Sequence, residues 1–291
     1  CSAGTGGAGH GEDVRVLDDF STGKRENLRP FLERIELIEG DLRRIEDVRR
    51  AVAGAQFVLH QAALRSVPRS VDDPMATNEV NVGGTLNVLS ACRRGRVARL
   101  VHTSTSEVYG TAQRVPIDES HPLQAQSPYA ASKVGADMLA LSFRHSFGLP
   151  VAVARPFNTF GPRQSTRAII PTLLAQMHAG AATRDFTFVA DTVSGFLAIA
   201  ECERALGNVV NLGTGREISI GALVDLLRTI TGCQARIVTD PERLRPAGSE
   251  VERLLCDPSR AAAWAGWRPT HSLEDGLRAT SEWVRANLAL L

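Results

Sequence analysis

Short apolar runs rich in β-branched residues alternate with longer amphipathic stretches along the first half of the chain. The apolar runs predict strands at 14–19, 35–41, 56–60, 99–103 and 151–154. The amphipathic stretches predict helices at 44–53, 74–93 and 129–147, the last of which begins after Ser127-Pro128. Strands separated by helices in this way indicate a doubly wound α/β fold, in which helices cover both faces of a parallel sheet.

The pattern loosens from about Arg155 onwards, where prolines and arginines become frequent and the predicted elements become shorter. We predict a first domain at 1–154 and a smaller lobe at 155–291, from which segments near 185–215 return to the first domain. In sheets of this type, ligands bind outside the carboxyl ends of the strands. The smaller lobe is therefore expected to close over that edge of the sheet.

At two places the chain passes from one predicted element to the next with unusually few residues between them. The glycine turn at 5–9, Thr-Gly-Gly-Ala-Gly, would normally follow an apolar strand and open a helix, yet Glu12-Asp13 leads straight into the next predicted strand. About a dozen residues of helix are absent on the usual scale of a strand–helix–strand unit. The segment 179–183 joins a predicted helix to Arg184 just as sharply. We therefore expect this sequence to lack a segment of the protein at each of the two places.

Composition and charge narrow the functional classes. The 33 Lys and Arg residues nearly cancel the 32 Asp and Glu residues, which leaves a net charge of +1, so neither nucleic acid nor a membrane is an expected partner. With 43% apolar and 22% charged residues, the chain has the composition of a soluble globule. It contains no apolar run long enough to span a bilayer, and its first residues lack signal-peptide character. A cytoplasmic location is the expectation.

The cysteines show neither a metal-binding nor a disulfide pattern. They lie far apart, and none forms a Cys-x-x-Cys pair or has a histidine at metal-ligand spacing. We predict no metal site, and we predict reduced, buried thiols at Cys1, Cys92, Cys202, Cys233 and Cys256.

The strongest chemical signal is a tyrosine and a lysine four residues apart, Tyr129 and Lys133. The chain has only two residues of each type, and this spacing places one of each on the same face of a helix. An ammonium group beside a phenol favours the phenolate and is expected to lower a pKa that begins at about 10. Such a phenol can take the proton of an alcohol while hydride leaves the carbon. A surface pair without function is the alternative.

A hydroxyl-rich segment at 102–110, His-Thr-Ser-Thr-Ser-Glu-Val-Tyr-Gly, follows the fourth predicted strand. The hydroxyl of Thr105 can hydrogen-bond the same substrate oxygen that Tyr129 deprotonates. A polar loop that caps a helix is the alternative interpretation. The combination of this segment with the Tyr–Lys pair and the glycine turn favours a catalytic site.

Together these motifs resemble those of the extended short-chain dehydrogenases/reductases, in particular the NAD-dependent nucleotide-sugar epimerases and dehydratases. The resemblance extends over nearly the whole chain and depends on the order and spacing of its motifs. It implies a Rossmann-type sheet with a smaller C-terminal substrate-binding lobe. The motifs lie at 5–9, 17–20, 40–42, 60–63, 81–85, 155–162, 184–186 and 266–267, together with Thr105, Tyr129 and Lys133.

The resemblance implies NAD as the cofactor. Gly6 and Gly9 would let the backbone approach a pyrophosphate at a helix N-terminus. Asp18, at the end of the first predicted strand, would accept hydrogen bonds from the ribose hydroxyls and repel a 2′-phosphate, which favours NAD over NADP. Lys133 would hold the nicotinamide ribose. The other residues expected at the cofactor are Asp19, Phe20, Asp41, Leu42, Ala62, Ala63, Arg65, Asn81, Thr103, Tyr129 and Phe157.

Family similarity also implies a nucleotide-diphosphate sugar as the substrate and a homodimer as the assembly. Arginine side chains match phosphate oxygens, although most arginines of this chain are expected to be solvated. The predicted helices at 74–93 and 129–147 would join the protomers. The residues expected at the substrate are Ser66, Thr105, Asn158, Arg163, Arg184 and Arg245.

Members of this family share an oxidation at C4′ of the sugar and differ in the step that follows. Elimination of water across C5 and C6 needs an acid and a base beside the ring, and Glu107 is placed to act at C5. The segment with Ser106 and Glu107 resembles GDP-mannose 4,6-dehydratases, and other segments resemble dehydratases of N-acetylglucosamine nucleotides. We therefore predict a 4,6-dehydratase of a UDP-N-acetylglucosamine-like sugar, with the catalytic residues Thr105, Ser106, Glu107, Tyr129 and Lys133.

Three alternatives remain open. Residues 63–70 resemble UDP-N-acetylglucosamine 4-epimerases, which return hydride to the other face of the sugar. The segment 104–110 also resembles UDP-glucuronate decarboxylases. A cofactor-binding scaffold without turnover is the third alternative, and the intact set of Thr105, Tyr129 and Lys133 argues against it.

Overall fold

Strands and helices alternate along the first half of the chain, as the sequence pattern predicts. The computed structural model describes residues 12–164, 182–232, 247–249 and 251–287. The strands are β1 (Val14–Asp18), β2 (Ile35–Glu39), β3 (Phe57–His60), β4 (Arg99–Thr103), β5 (Val151–Pro156), β6 (Asn158–Phe160), β7 (Thr183–Arg184), β8 (Phe186–Phe188), β9 (Val209–Leu212), β10 (Ile218–Ser219) and β11 (Arg253–Leu254). The α-helices are α1 (Ile45–Val52), α2 (Val67–Asp72), α3 (Pro74–Asn78), α4 (Thr85–Gly95), α5 (Pro128–Phe147), α6 (Val189–Glu201), α7 (Ile220–Thr231), α8 (Ser259–Ala265) and α9 (Leu273–Ala286).

The centre of the fold is a parallel sheet with the strand order β3-β4-β5-β9. The first two strands, β1 and β2, form a separate parallel pair, in which Val14 lies opposite Ile35. Parallel neighbours need crossover connections, and the helices between the strands supply them. All carboxyl ends of the central strands therefore lie at one edge of the sheet.

The central sheet buries different side chains on its two faces, because successive residues of a strand point to opposite sides. On one face, Leu100 and Val153 share an apolar cluster with residues of α1, α4 and α5. On the other face, Val101 and Ala154 share a cluster with residues of α6 and α8. Helices thus cover both faces, as expected for a doubly wound sheet.

The helix α5 begins and ends where the sequence places its signals. Ser127 is the N-cap, with its hydroxyl oxygen accepting a hydrogen bond from the Ala130 N–H at 3.1 Å, and Pro128 is the first helical residue. Gly148 ends the helix with φ 68°, in the left-handed region that glycine adopts without strain. The predicted start after Ser127-Pro128 is confirmed.

The helix predicted at 74–93 differs from the expectation, because it contains a widened turn. Between α3 and α4 the chain forms a π-helical segment, Glu79–Gly84. Within it, Asn81 reaches the loop after β3, where its Oδ1 accepts the Leu64 N–H at 2.8 Å and its Nδ2 donates to the Leu64 carbonyl oxygen at 3.1 Å. Such π-helical turns are frequent at functional sites. This one places Asn81 beneath the loop that carries several predicted site residues.

After β5 the chain forms two small sheets beside the central one. In these sheets β6 pairs with β8, and β7 lies between β10 and β11. Phe160, Phe188 and Leu277 form a separate apolar cluster with residues of α7. The strand β9 returns to the central sheet and pairs with β5. The boundary predicted at 154/155 falls inside β5, and the division into two domains stays a prediction.

Three of the five cysteines, Cys92, Cys202 and Cys256, are free and buried in the described part of the chain. The other two, Cys1 and Cys233, lie outside it, as do the glycine turn at 5–9 and most of the joint at 179–183. None of the described helices is both long and apolar enough to cross a membrane.

Candidate active site

The site begins at the carboxyl end of β4. After Thr103 the chain continues through Ser104 and Thr105 into a short 3-10 helix, Ser106–Tyr109. Thr105 is the N-cap of this helix, and its Oγ1 accepts a hydrogen bond from the Glu107 N–H at 3.3 Å. The cap therefore places the Thr105 hydroxyl and the Glu107 side chain on one tight turn.

Tyr129, the second residue of α5, meets this turn. Its phenol is hydrogen-bonded with the Thr105 side chain, and the charges of Glu107 and Arg65 both act on it. The structure thus brings together Thr105, Glu107, Tyr129 and Arg65, four of the predicted site residues. They come from three separate segments, namely the loop after β3, the turn after β4 and the start of α5.

The pKa of Tyr129 differs from the expectation. Desolvation within the site raises the pKa of this phenol from 10.0 to about 12, and the negative charge of Glu107 adds to the rise. The hydrogen bond with Thr105 and the positive charge of Arg65 act in the opposite direction but are smaller. The predicted lowering of the pKa is therefore wrong for the protein chain by itself, because the loss of hydration outweighs the favourable charges.

Lys133 lies one turn further along α5 and is almost completely buried, with 3% of its surface exposed. Burial lowers the pKa of its ammonium group from 10.5 to about 8, and the negative charge of Asp137 opposes this fall. A lysine at the surface would keep its hydration. Lys133 is therefore not a surface residue, and the catalytic role of the pair with Tyr129 stays a prediction.

Asp137, a further turn along α5, is the centre of a buried polar network that the sequence analysis missed. Its Oδ2 accepts hydrogen bonds from Ser104 Oγ at 2.6 Å and from Arg155 Nη2 and Nε at 2.8 Å and 3.1 Å. His102 Nε2 lies 3.3 Å from Asp137 Oδ1. Burial alone would raise the pKa of Asp137, but the adjacent His102 imidazole and the Arg155 charge reverse the direction and lower it. Asp137 is therefore an anion.

Arg155 extends this network from α5 across β5 to β9. Its Nη1 donates to the Tyr109 hydroxyl oxygen at 3.0 Å, and that hydroxyl donates to Asn211 Oδ1 at 2.8 Å. Arg155 is 2% exposed, and both Tyr109 and Asn211 are fully buried. Because buried polar groups are costly without partners, this chain of hydrogen bonds ties the turn after β4 to the middle of the sheet.

The predicted cofactor residues of the first strand lie at its carboxyl end. Asp18 is the last residue of β1, and its Oδ1 accepts the Phe20 N–H at 2.8 Å. Asp19 Oδ1 accepts the Ser21 N–H at 3.0 Å and the Ser21 hydroxyl at 2.8 Å. Phe20 adopts φ 54°, in the left-handed region. These local turns hold both carboxylates at the edge of the sheet.

The end of β2 adds a third carboxylate to this edge. Asp41 follows β2 and binds Arg43 through Oδ2–Nη2 at 2.6 Å and Oδ1–Nε at 3.1 Å. The Arg43 hydrogen bond lowers the pKa of Asp41. Leu42 is buried in the cluster beneath α4. The Arg43 guanidinium is therefore already paired with the Asp41 carboxylate.

The loop after β3 depends on Asn81 for its position. In addition to its two hydrogen bonds with Leu64, Asn81 Nδ2 donates to Ser132 Oγ on α5 at 2.9 Å. Its amide is used to hold the loop against α5, a role that sequence reasoning did not predict. Ser66 serves as the N-cap of α2 at the end of the loop. The predicted residues that this loop carries are Ala62, Ala63, Arg65 and Ser66.

Two buried polar atoms at this edge have no hydrogen-bond partner among the described residues. They are Thr103 Oγ1, at the end of β4, and Gln61 Nε2, directly after β3. Buried polar groups nearly always have a partner, so a hydroxyl and an amide without one fit a polar ligand at this edge. The hydroxyls and amide of a nicotinamide nucleotide are groups of the required kind.

The predicted substrate residues of the second half lie around β6 and β7. Asn158 Nδ2 donates to the Asp185 carbonyl oxygen at 3.3 Å. Arg184 is 2% exposed, and its Nη1 donates to the carbonyl oxygen of the preceding residue at 3.0 Å. The Arg163 guanidinium lies over the Phe31 ring, 5.2 Å from its centre. The structure thus buries Arg184 and leaves Arg163 against an aromatic ring.

Other predicted residues are either buried or outside the described part of the chain. Phe157 is buried in an apolar cluster, and Ser106 is buried within the 3-10 turn. The predicted residues outside the described ranges are Gly6, Gly9 and Arg245. The individual roles of all predicted site residues stay predictions.

Comparison with known proteins assigns the chain to a family. The family described as GDP-mannose 4,6 dehydratase matches residues 9–280. The chain belongs to this family. Its relatives include a dTDP-glucose 4,6-dehydratase of Streptomyces griseus, 38% identical over 81% of this chain and 73% of the relative. They also include a putative UDP-glucose 4-epimerase of Methanocaldococcus jannaschii, 30% identical over 94% of this chain and 91% of the relative.

Solved structures related to this GDP-mannose 4,6-dehydratase family member share its fold. The dTDP-glucose 4,6-dehydratase DesIV of Streptomyces venezuelae, solved with NAD bound, matches with a TM-score of 0.85 and 30% identity, over 96% of this chain and 89% of that chain. A UDP-glucose 4-epimerase of Thermotoga maritima, solved with UDP-glucose, matches with a TM-score of 0.88 and 29% identity, over 98% and 95%. The predicted Rossmann-type fold and the resemblance to nucleotide-sugar dehydratases and epimerases are confirmed. Because both activities occur among the relatives, the comparison does not choose between them.

Proposed function

We propose that the chain is an NAD-dependent 4,6-dehydratase of a nucleotide-diphosphate hexose, with a UDP-N-acetylglucosamine-like sugar as its substrate. One observation carries the proposal: the Thr105 cap places Glu107 on the tight turn that Tyr129 meets, where its charge acts on the phenol. A 4-epimerase needs a base at the C4′ hydroxyl, whereas a 4,6-dehydratase needs a second base at C5. Glu107 supplies that second base.

Tyr129 is placed to act as the base in the oxidation. As a phenolate it would take the proton of the C4′ hydroxyl, and Thr105, hydrogen-bonded to the same phenol, would orient the sugar oxygen. NAD, held at this edge of the sheet, would supply the hydride-transfer chemistry for the oxidation at C4′ and the reduction at C6. Lys133 would bind the ribose hydroxyls of the cofactor and add positive charge to the site. That positive charge favours the phenolate against the desolvation that raises its pKa.

Glu107 is placed to carry out the elimination. A ketone at C4′ makes the C5 hydrogen acidic, and Glu107 would remove it as a proton. The carboxylic acid formed in this way would protonate the departing C6 hydroxyl, which leaves as water. When hydride arrives at C6, C5 takes up a proton. The proton that Tyr129 removed from the C4′ hydroxyl accounts for it. The net change is the loss of one water molecule from the hexose.

The acidic ends of β1 and β2 support NAD rather than NADP. Asp18 can accept hydrogen bonds from ribose hydroxyls and would repel a 2′-phosphate, while Arg43 is already paired with Asp41. Fluorescence titration should show NAD binding at least about tenfold more tightly than NADP, and Asp18→Ala should reduce this preference. Equal affinities of the wild-type protein for the two nucleotides would contradict the cofactor proposal.

The variant Glu107→Gln tests the dehydratase proposal, because it keeps the size of the side chain and removes the base. Wild-type protein incubated with UDP-, GDP-, dTDP- and CDP-hexoses should convert one of them to a product that has lost water, detected by mass spectrometry. In Glu107→Gln we expect this product to form at least about a hundredfold more slowly. Tyr129→Phe is the comparison variant and should abolish the oxidation as well. Water loss at the wild-type rate in Glu107→Gln would contradict the proposal.

The second candidate function is 4-epimerisation of a nucleotide sugar. It is favoured by Ser106, a buried hydroxyl residue beside Glu107 that provides no second carboxyl group for acid–base chemistry at C5 and C6. An epimerase would retain most of its activity in Glu107→Gln and would lose it in Tyr129→Phe. Its product would be the C4 epimer with the C6 hydroxyl intact.

We also propose that the chain forms a homodimer through α3, α4 and α5. Four large apolar side chains of these helices are exposed, Met75 on α3, Leu86 on α4, and Met138 and Phe147 on α5. Covering them would remove apolar surface from water. Light scattering should give the mass of two chains, and the double variant Leu86→Glu/Met138→Glu should be monomeric. A monomeric wild-type protein would contradict this assembly.

A further inference from the structure

One buried carboxylate, Asp137, connects the elements that carry the proposed catalytic groups. It lies on α5, one turn beyond Lys133 and two turns beyond Tyr129. It also accepts a hydrogen bond from Ser104, the residue directly before Thr105 in the turn after β4. A displacement of Asp137 would therefore change the position of Thr105 relative to the tyrosine and the lysine.

The contacts of Asp137 restrain it from two strands. Ser104 and Arg155 both donate to Oδ2, at 2.6 Å and 2.8 Å, and His102 Nε2 lies 3.3 Å from Oδ1. Each of these four side chains is at most 3% exposed. A carboxylate held from β4 and β5 in this way cannot rotate without leaving buried polar groups unpaired. It therefore fixes the distance between α5 and both strands.

Asp137 is also the countercharge of the Lys133 ammonium group. The groups that face Lys133 from β3 and β4 are His60 and His102, and burial lowers the pKa of both imidazoles, so that both are neutral at pH 7. Tyr129, on the same helix, is neutral as well, and the guanidinium bound to Asp137 is positive. Within this described cluster, the negative charge that favours a protonated Lys133 is that of Asp137.

We propose that Asp137 is a positioning residue of this site, which holds α5 against the turn of Thr105 and keeps the Lys133 ammonium group charged. Its importance for catalysis rests on the proposed function, whereas its effect on Lys133 does not. An ion pair with a purely structural role would hold α5 to β5 through Arg155 but would leave the charge of Lys133 unaffected. The two interpretations can therefore be separated without measuring turnover.

The chain contains only two lysines, Lys24 and Lys133, so NMR of protein labelled with [13C]lysine gives two side-chain signals that can be titrated separately. In the wild-type protein we expect a pKa of about 8 for Lys133, with the exposed Lys24 as the internal reference. In Asp137→Asn, the pKa of Lys133 should fall by about one pH unit or more, because an opposite charge has been removed. An unchanged Lys133 titration in folded Asp137→Asn would overturn the proposal.

The matched control is Asp191→Asn. Asp191 is a buried carboxylate on α6 that accepts hydrogen bonds from Thr270 and His271. Its replacement should lower the melting temperature without moving the Lys133 titration. A shift of the Lys133 titration as large as that in Asp137→Asn would show a general effect of destabilisation and would overturn the proposal.

A second variant, Asp137→Glu, keeps the proposal testable if Asp137→Asn does not fold. It retains the charge but displaces the carboxylate by one methylene group. The Lys133 titration should stay near that of the wild-type protein, while kcat should fall at least about tenfold, because small displacements of catalytic groups are costly. A folded Asp137→Glu protein with the wild-type kcat would overturn the positioning role. Absence of turnover in the wild-type protein would count against the proposed function and leave the Lys133 titration as the test of Asp137.

Discussion

Replacing Lys133 by methionine should stabilise the protein at neutral pH while abolishing its activity. The ammonium group is hydrated in the unfolded chain, and it loses this hydration when the chain folds. Methionine keeps an unbranched side chain of similar length without the charge. Asp137 retains Arg155 as a partner in the variant, so its own charge stays compensated. The variant therefore measures the free energy that the buried ammonium group costs.

The size of the effect follows from the pKa of Lys133. The pKa of Lys133 falls from 10.5 in the unfolded chain to about 8 in the folded chain. This fall means that the buried, charged lysine lowers the unfolding free energy at pH 7 by about 3 kcal/mol. Between these two pKa values the unfolded chain binds more protons than the folded chain, so this lysine makes the unfolding free energy rise with pH. The full cost is present below the lower pKa, and it disappears above the higher one.

Urea denaturation at pH values from about 7 to about 11 measures the difference between the two proteins. Lys133→Met should exceed the wild-type unfolding free energy by about 3 kcal/mol at pH 7, and this excess should shrink as the pH passes the wild-type pKa of Lys133. Taking the difference cancels the titration of thiols and tyrosines, which both proteins share. Lys24→Met, which replaces the other, exposed lysine, is the matched control and should stay within about 0.5 kcal/mol of the wild-type protein. An excess that does not change with pH would refute the reasoning.

Two further predictions concern stability. Tyr109→Phe removes the hydroxyl between Arg155 and Asn211. Because two buried groups lose their partner, urea denaturation should show an unfolding free energy lower by about 2–4 kcal/mol. A loss below about 0.5 kcal/mol would contradict the hydrogen-bond network. Gly276→Ala would bring a Cβ atom to 2.7 Å from the Phe160 ring; it should cost about 1–3 kcal/mol through overpacking, and an unchanged melting temperature would contradict this packing.

The elements of the first half could be predicted because their signals are local. Short apolar runs rich in β-branched residues define β1 to β5, and each observed strand begins within one residue of its prediction. Ser127 and Pro128 mark the start of α5 through a cap that involves only the next three residues. The Tyr129–Lys133 pair could also be predicted, since a spacing of four residues fixes the geometry of two side chains on any helix.

The remaining features depend on residues that are distant in sequence. The π-helical turn around Asn81 follows from its contact with the loop after β3, which no periodicity reveals. Asp137 lies four residues after Lys133, the same spacing that separates Lys133 from Tyr129. This repeated spacing is the signal that could have identified Asp137. Arg155 carries no local signal, because its partner on α5 becomes a neighbour only in the fold. The direction of the Tyr129 pKa shift was wrong because spacing gives no measure of desolvation.

The product formed in deuterated water tests the central claim most directly, namely that Glu107 acts as a second base beside Tyr129. The holoenzyme is incubated with UDP-N-acetylglucosamine and the other nucleotide hexoses, and the product is identified by NMR. We expect a 4-keto-6-deoxy sugar that carries deuterium at C5, because the original C5 proton leaves in the water molecule and C5 takes up the deuteron that Tyr129 removed from the exchanged C4′ hydroxyl. A C4 epimer with an intact C6 hydroxyl and no deuterium at C5 would contradict the claim.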